Sequence, residues 1–128
     1  MSTILIAEDN AMVALLMEAD LSDAGYEVLG PFARSAPALA AAGAAPVDLA
    51  LLDIDLAGGD NGIELAAALR AAHATPCLFV TGQSYEAAAT TDLALGALAK
   101  PFTSQVLLDV VGAALTGAAP EIDGLAWF

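Results

Sequence analysis

Leu49-Ala50-Leu51-Leu52-Asp53 carries no polar residue until its last position. A strand with one wet face alternates apolar and polar residues, whereas a strand covered on both faces reads as an unbroken apolar run. This run therefore marks the centre of a parallel sheet with helices on both sides. Outward from it in both directions, apolar runs of four to six residues alternate with longer segments of helical period, the rhythm of repeated β-α units.

Five such units are expected. Toward the N-terminus, strands run over Thr3–Ala7 and Glu27–Phe32, with helices at about Asn10–Ala24, where Asn10 caps and Gly25 stops the helix, and Ala36–Ala45, ended by Pro46. Toward the C-terminus, Ala57-Gly58-Gly59-Asp60-Asn61-Gly62 leads into a helix at Ile63–Ala72. Next come a strand at Cys77–Val80, a weak helix at Ser84–Leu93, a short strand at Ala97–Ala99 and a helix at Thr103–Leu115. One domain is read over residues 1–116. Residues 117–128, ending Leu125-Ala126-Trp127-Phe128, read as a C-terminal tail that packs on its own domain rather than as a sixth unit.

Composition narrows the function. The formal charge is −13, which repels phosphate backbones and anionic lipid, so no nucleic-acid and no membrane partner is expected. The mean hydropathy of +0.72 comes largely from 32 alanines, and no run reaches the 18 or so apolar residues of a spanning helix. No basic residue precedes the first apolar run, and a lone Cys77 can form no internal disulfide. Both point to the cytoplasm.

Ligands of open parallel sheets bind outside the carboxyl ends of the strands. Those ends carry Glu8 and Asp9, Asp53, Thr81, and Lys100, which is the one lysine in the chain. Converging carboxylates repel unless a cation or proton intervenes. Mg²⁺ takes one or two carboxylates and completes its shell with water and phosphate oxygens. Lysine supplies a compact positive charge for an anion, and a hydroxyl adds a hydrogen bond. The set suits phosphoryl transfer onto a carboxylate.

With these residues in this order, the chain from about Ile4 to Leu115 resembles the receiver domain of two-component response regulators. The resemblance rests on Glu8-Asp9, on Leu51-Leu52-Asp53-Ile54-Asp55-Leu56, on Phe79-Val80-Thr81-Gly82, and on Lys100-Pro101-Phe102. It implies the flavodoxin-like receiver fold, an α/β doubly wound five-stranded parallel sheet in the order 2-1-3-4-5 flanked by five helices. It also implies that Asp53 is the phosphoacceptor. The Mg²⁺ ligands would be Asp9 directly, Glu8 through water, Asp53, and the Asp55 backbone carbonyl. Thr81 and Lys100 would hold the phosphoryl group, with a cis bond before Pro101. The donor would be a sensor histidine kinase or histidine phosphotransfer protein, and the recipient of the signal another protein.

The sequence departs from the family pattern in two places. Ala97 stands where most members have an aromatic switch residue, and the spacing of 19 from Thr81 to Lys100 is short. With Pro76 and Phe-x-Thr-Gly, both look like the single-domain FAT GUY regulators, with Val80 in place of that motif's Ala. The expected role is thus a stand-alone phosphoacceptor that signals by protein contact or acts as a phosphate shuttle or sink. It is not an enzyme, apart from self-phosphorylation and self-dephosphorylation. Two rivals stand beside it. One is a pseudo-receiver that binds without phosphorylation. The other is a haloacid-dehalogenase-type phosphatase, which Asp53-Ile54-Asp55 also resembles but whose second acidic pair is missing after Lys100.

The remaining polar residues read as structural. Asp60, Glu64, Asp92, Asp109, Glu121 and Asp123 belong to solvated faces, His73 to a helix end, and Cys77 to the core. On the first helix, Val13, Leu16, Met17, Leu21 and Ala24 form one core-facing stripe, while Met12 and Leu15 fall outside it. By the resemblance, that exposed shoulder is where a kinase or phosphotransfer helix docks.

Overall fold

The computed structural model describes residues 2–82 and 92–128. Strands β1 (Thr3–Ala7), β2 (Glu27–Phe32), β3 (Leu49–Leu52), β4 (Cys77–Thr81), β5 (Gly96–Ala99) and β6 (Leu125–Trp127) form a single sheet in the order β2-β1-β3-β4-β5-β6. The first five are parallel, and β6 runs antiparallel to β5. Among the described residues there are four helices: α1 (Ala11–Asp23), α2 (Ser35–Ala44), α3 (Gly62–His73) and α4 (Ser104–Thr116). The expected helix over 84–93 falls outside the described residues except for Asp92 and Leu93, which form a turn.

Both faces of the sheet are buried, as the unbroken apolar strands require. Leu5, Ala50, Leu52, Cys77 and Phe79 pack with Ala38, Leu65 and Leu69 from α2 and α3. On the other face Ile4, Ile6, Leu49, Leu51, Leu78 and Val80 pack with Met17, Leu21, Leu107, Val110 and Val111 from α1 and α4. Each of these large side chains contributes roughly 1.5–3 kcal/mol by leaving water. Successive side chains of a strand point to opposite faces, so one four-residue strand feeds both cores.

Two expectations are corrected. The sheet expected with five strands has six: residues 125–127, within the segment read as a tail packed on its own domain, add a strand, with Gly96 opposite Trp127 and Leu98 opposite Leu125. Three residues are too few for a readable period, and their partner is supplied by the fold. On α1 the buried stripe is Ala14, Met17 and Leu21; Ala24 is exposed and Leu16 is 60% exposed, beside Met12 at 72% and Leu15 at 61%. The buried line of the helix follows the small Ala14, and an apolar flank of Met12, Leu15 and Leu16 faces outward.

The order reverses at β1, which has β2 on one side and β3 on the other. The crevice beyond the carboxyl ends of β1 and β3 is thus the switch point of the sheet, the place where such folds bind ligands.

Candidate functional site

Four strand ends build the site. Beyond β1, the Glu8 N–H donates to the Phe32 carbonyl at 2.9 Å, which carries the β1–β2 pairing past the strand. Asn10 then caps α1, its side-chain oxygen accepting from Met12 and Val13 N–H at 3.1 Å each, and its own N–H donates to Glu8 Oε1 at 3.2 Å. Beyond β3, the Asp53 N–H donates to the Ala7 carbonyl at 2.8 Å, which sets Asp53 beside the acidic pair. Beyond β5, the Lys100 N–H donates to the Thr81 carbonyl at 3.0 Å. Thr81 is buried at the end of β4, and the Lys100–Pro101 bond is cis, as the resemblance implies.

The side chains converge. Lys100 Nζ donates to Glu8 Oε1 and Oε2 at 2.9 and 2.7 Å and to Asp53 Oδ2 at 3.0 Å. Glu8 and Asp53 are buried and Asp9 is exposed, yet each presents a carboxylate oxygen within 4.8 Å of the other two. One ammonium against three carboxylates leaves net negative charge in a half-enclosed space.

The electrostatics record that imbalance. Burial pushes the Glu8 carboxyl above its ordinary value, and the hydrogen bond and charge of Lys100 offset this only in part. Burial alone would lower Lys100, but its hydrogen bonds to Glu8 and Asp53 and their charges hold the ammonium above its usual value. A hard divalent cation fits a cluster of this kind, in which oxygen donors carry more negative charge than the protein neutralises.

The loop after Asp53 is as defined as the strand ends. Ile54 and Leu56 are buried in the α2–α3 core, while the alternate residue Asp55 is exposed and bridges Asn61. Asn61 caps α3 by accepting from Ile63 N–H at 2.7 Å, and the Gly62 N–H donates to the Ile54 carbonyl at 2.7 Å. A Cβ on Gly62 would overlap the Asp53 carbonyl, so the loop after Asp53 tolerates only glycine there.

Sequence reading missed Gly62, because the approach that requires it is made by the folded loop. It also placed Asp60 on a solvated face. Instead Asp60 Oδ2 accepts from Ser35 N–H at 2.9 Å and lies 3.5 Å from Arg34 Nε. The signal available in sequence was only a polar residue before a cap.

The sequence model of the response regulator receiver domain matches residues 4–112. The chain belongs to the response regulator receiver family. Regulatory protein VanR of Enterococcus faecium is 33% identical over 115 residues, 88% of this chain and 49% of VanR, so this receiver spans about half the length of that relative. Chemotaxis response regulator CheY4 of Vibrio cholerae superposes with a TM-score of 0.79 at 30% identity, covering 89% of this receiver and 98% of CheY4. The response regulator TrrA of Thermotoga maritima, solved in complex with Mg²⁺-BeF, gives 0.79 at 25% identity over 89% of this receiver and 99% of TrrA. The flavodoxin-like receiver fold and the order 2-1-3-4-5 are thus those of the family, with β6 added at the edge. In this receiver Ala97 is buried in β5 between Phe79 and Ala126, where an aromatic ring is usual by the resemblance.

Proposed function

We propose that this receiver is a phosphoacceptor in two-component signalling, with Asp53 as the residue modified. The observation that carries this is the Lys100 ammonium spanning Glu8 and Asp53 beside Asp9 at the sheet's switch point. An Asp53 carboxylate oxygen attacks the phosphorus of a phosphohistidine; the P–N bond breaks and the imidazole nitrogen keeps the electron pair. Water later releases inorganic phosphate and restores the carboxylate. Asp9, Asp53, the Asp55 carbonyl and, through water, Glu8 would hold Mg²⁺, which neutralises phosphoryl charge when bound. Lys100 gives up its bond to Asp53 and, with Thr81, meets the phosphoryl oxygens.

The donor is a sensor histidine kinase or a histidine phosphotransfer protein, which places the receiver in the cytoplasm. Among the described residues, no helix is long and apolar enough to cross a membrane. Its docking face is the exposed Met12, Leu15 and Leu16 of α1 with the neighbouring groove of about 230 Å³ that Val13, Met17 and Phe102 line. An apolar patch beside an acidic site suits an apolar helix carrying the phosphohistidine. Pro76, the short Thr81–Lys100 spacing and Ala97 favour the single-domain FAT GUY-like subgroup. The output is then a changed affinity for a protein partner, or phosphate shuttling, rather than turnover of a separate substrate.

The test is intact mass after incubation with acetyl phosphate and Mg²⁺, alongside Asp53→Asn and an EDTA-treated sample. A phosphate-sized gain in the wild type alone is expected. Wild-type protein left unmodified by both acetyl phosphate and a phosphohistidine donor would overturn the reading in favour of phosphorylation-independent binding.

A further inference from the structure

The loop that follows Asp53 is held from outside by the connection between β2 and α2. The residue before α2 is Arg34, whose side chain offers no acceptor and makes no cap. Helix N-termini leave their first N–H groups without partners. Here the Ser35 N–H is satisfied across 25 residues by Asp60 Oδ2 at 2.9 Å. Arg34 Nε sits 3.5 Å from the same oxygen, and its guanidinium lies over Gly58, where a Cβ would come within 2.8 Å of it. The Ala57 N–H donates to the Ala33 carbonyl at 2.8 Å, so main chain also ties the two loops together. The Ser35 N–H bond holds the Asp60 carboxyl below its ordinary value, so it is the charged form that spans the loops.

Asp60 also acts inward. Its carbonyl accepts from the Leu56 N–H at 3.1 Å. That N–H belongs to the peptide unit whose other edge is the Asp55 carbonyl. A peptide unit is planar, and this bond is not among the cis bonds of the chain, so fixing the N–H fixes the carbonyl on the opposite edge. Side chain and carbonyl of Asp60 therefore join α2 to the orientation of the Asp55 carbonyl. At its other end the segment is anchored by Asp53 on Ala7.

We infer that Asp60, with Arg34 behind it, is a positioning residue for the cation site: it sets the Asp55 backbone carbonyl relative to Asp53. The inference rests on the phosphoacceptor reading. Asp60 touches neither the phosphoryl group nor the metal in this scheme; it acts through the peptide plane. Partners that orient metal ligands typically change affinity by about 10–100-fold when removed.

The probe is Mg²⁺ alone, titrated by calorimetry into wild type, Asp60→Ala, Asp60→Asn and Arg34→Ala. The Mg²⁺ concentration giving half-maximal phosphorylation from acetyl phosphate and a thermal melt are measured for each. Asp60→Ala is expected to weaken Mg²⁺ binding by about tenfold and to raise the half-maximal Mg²⁺ to match. Asp60→Asn keeps an oxygen for the Ser35 N–H and recovers most of the loss, and Arg34→Ala shows a smaller loss of the same kind. A lower melting temperature with unchanged Mg²⁺ affinity would mean a purely structural tie and overturn the inference. Should Asp60→Ala not fold, Asp60→Asn and the exposed Arg34→Ala decide, and wild-type affinity in both overturns it. Wild-type protein that neither binds Mg²⁺ nor gains phosphate sinks the phosphoacceptor reading itself. If the wild type does both and Asp60→Ala matches it, only the positioning role fails.

Discussion

Glu8 carries opposing demands. It is 3% exposed and receives both Lys100 and the Asn10 N–H, yet burial still raises its carboxyl above the ordinary value of 4.5. A raised carboxyl contributes stability that is fully present below its unfolded value and is lost as pH climbs through the folded value. Glu8→Gln keeps the shape without the charge and removes that loss. Thermal melts from below pH 4.5 to neutrality should show the variant level with wild type in acid and a few degrees higher near neutrality. A wild type more stable than the variant at every pH would show that the Lys100 pair outweighs burial. This is the familiar exchange of stability for function at a charged site. The candidate residues Glu8, Asp9, Asp53 and Lys100 were legible in the sequence because each follows a strand, and strands of a parallel sheet end on one edge. Cys77 was legible as well: burial pushes its thiol up to about 12, which keeps it an inert member of the core. Asp60 and Gly62 were not legible, since what each touches is brought to it from another segment or by the curl of its own loop.

The least expected element is β6. It hydrogen-bonds the β5 edge through Ala99 N–H to the Gly124 carbonyl at 2.7 Å and Phe128 N–H to the Leu95 carbonyl at 2.9 Å. Gly96 permits the approach, since a Cβ there would strike the Ala126 carbonyl. Leu125 and Trp127 add to the α1–α4 core, and the Trp127 indole N–H donates to the Pro120 carbonyl at 2.9 Å. Removing residues 118–128 strips three half-buried side chains, Ile122, Leu125 and Trp127, a loss of about 3 kcal/mol, and leaves β5 as an open edge. A lower melting temperature and concentration-dependent association in sedimentation are expected. A shortened chain that stays monomeric and melts as wild type does would mean that β6 merely rests on the edge. The helices that carry strong caps matched expectation to within a residue, Asn10 before α1 and Thr103 before α4. On α1 the period was legible, but which flank the neighbouring elements would cover was not.

Across the whole molecule, a charge of −13 with only three Lys and Arg residues makes self-repulsion a constant tax on the folded state. Monovalent salt should therefore raise the melting temperature by screening. Mg²⁺ at matched ionic strength should raise it further, as binding to the folded state alone requires, and EDTA should reverse only that increment. Equal effects of Mg²⁺ and matched monovalent salt would mean that the acidic cluster screens without binding. The same charge favours encounter with a basic partner surface and disfavours an acidic one.

By itself the sequence determined the β-α rhythm, the central buried strands, and the residues at their ends. These follow from period and alternation, which act over a few neighbouring residues. Only the tertiary structure decided that Lys100 bridges Glu8 and Asp53, that Asp60 caps a helix 25 residues away, that Leu16 faces outward, and that the last residues extend the sheet. Each of these is a contact between segments distant along the chain, whose geometry exists only once the two cores have closed around the sheet.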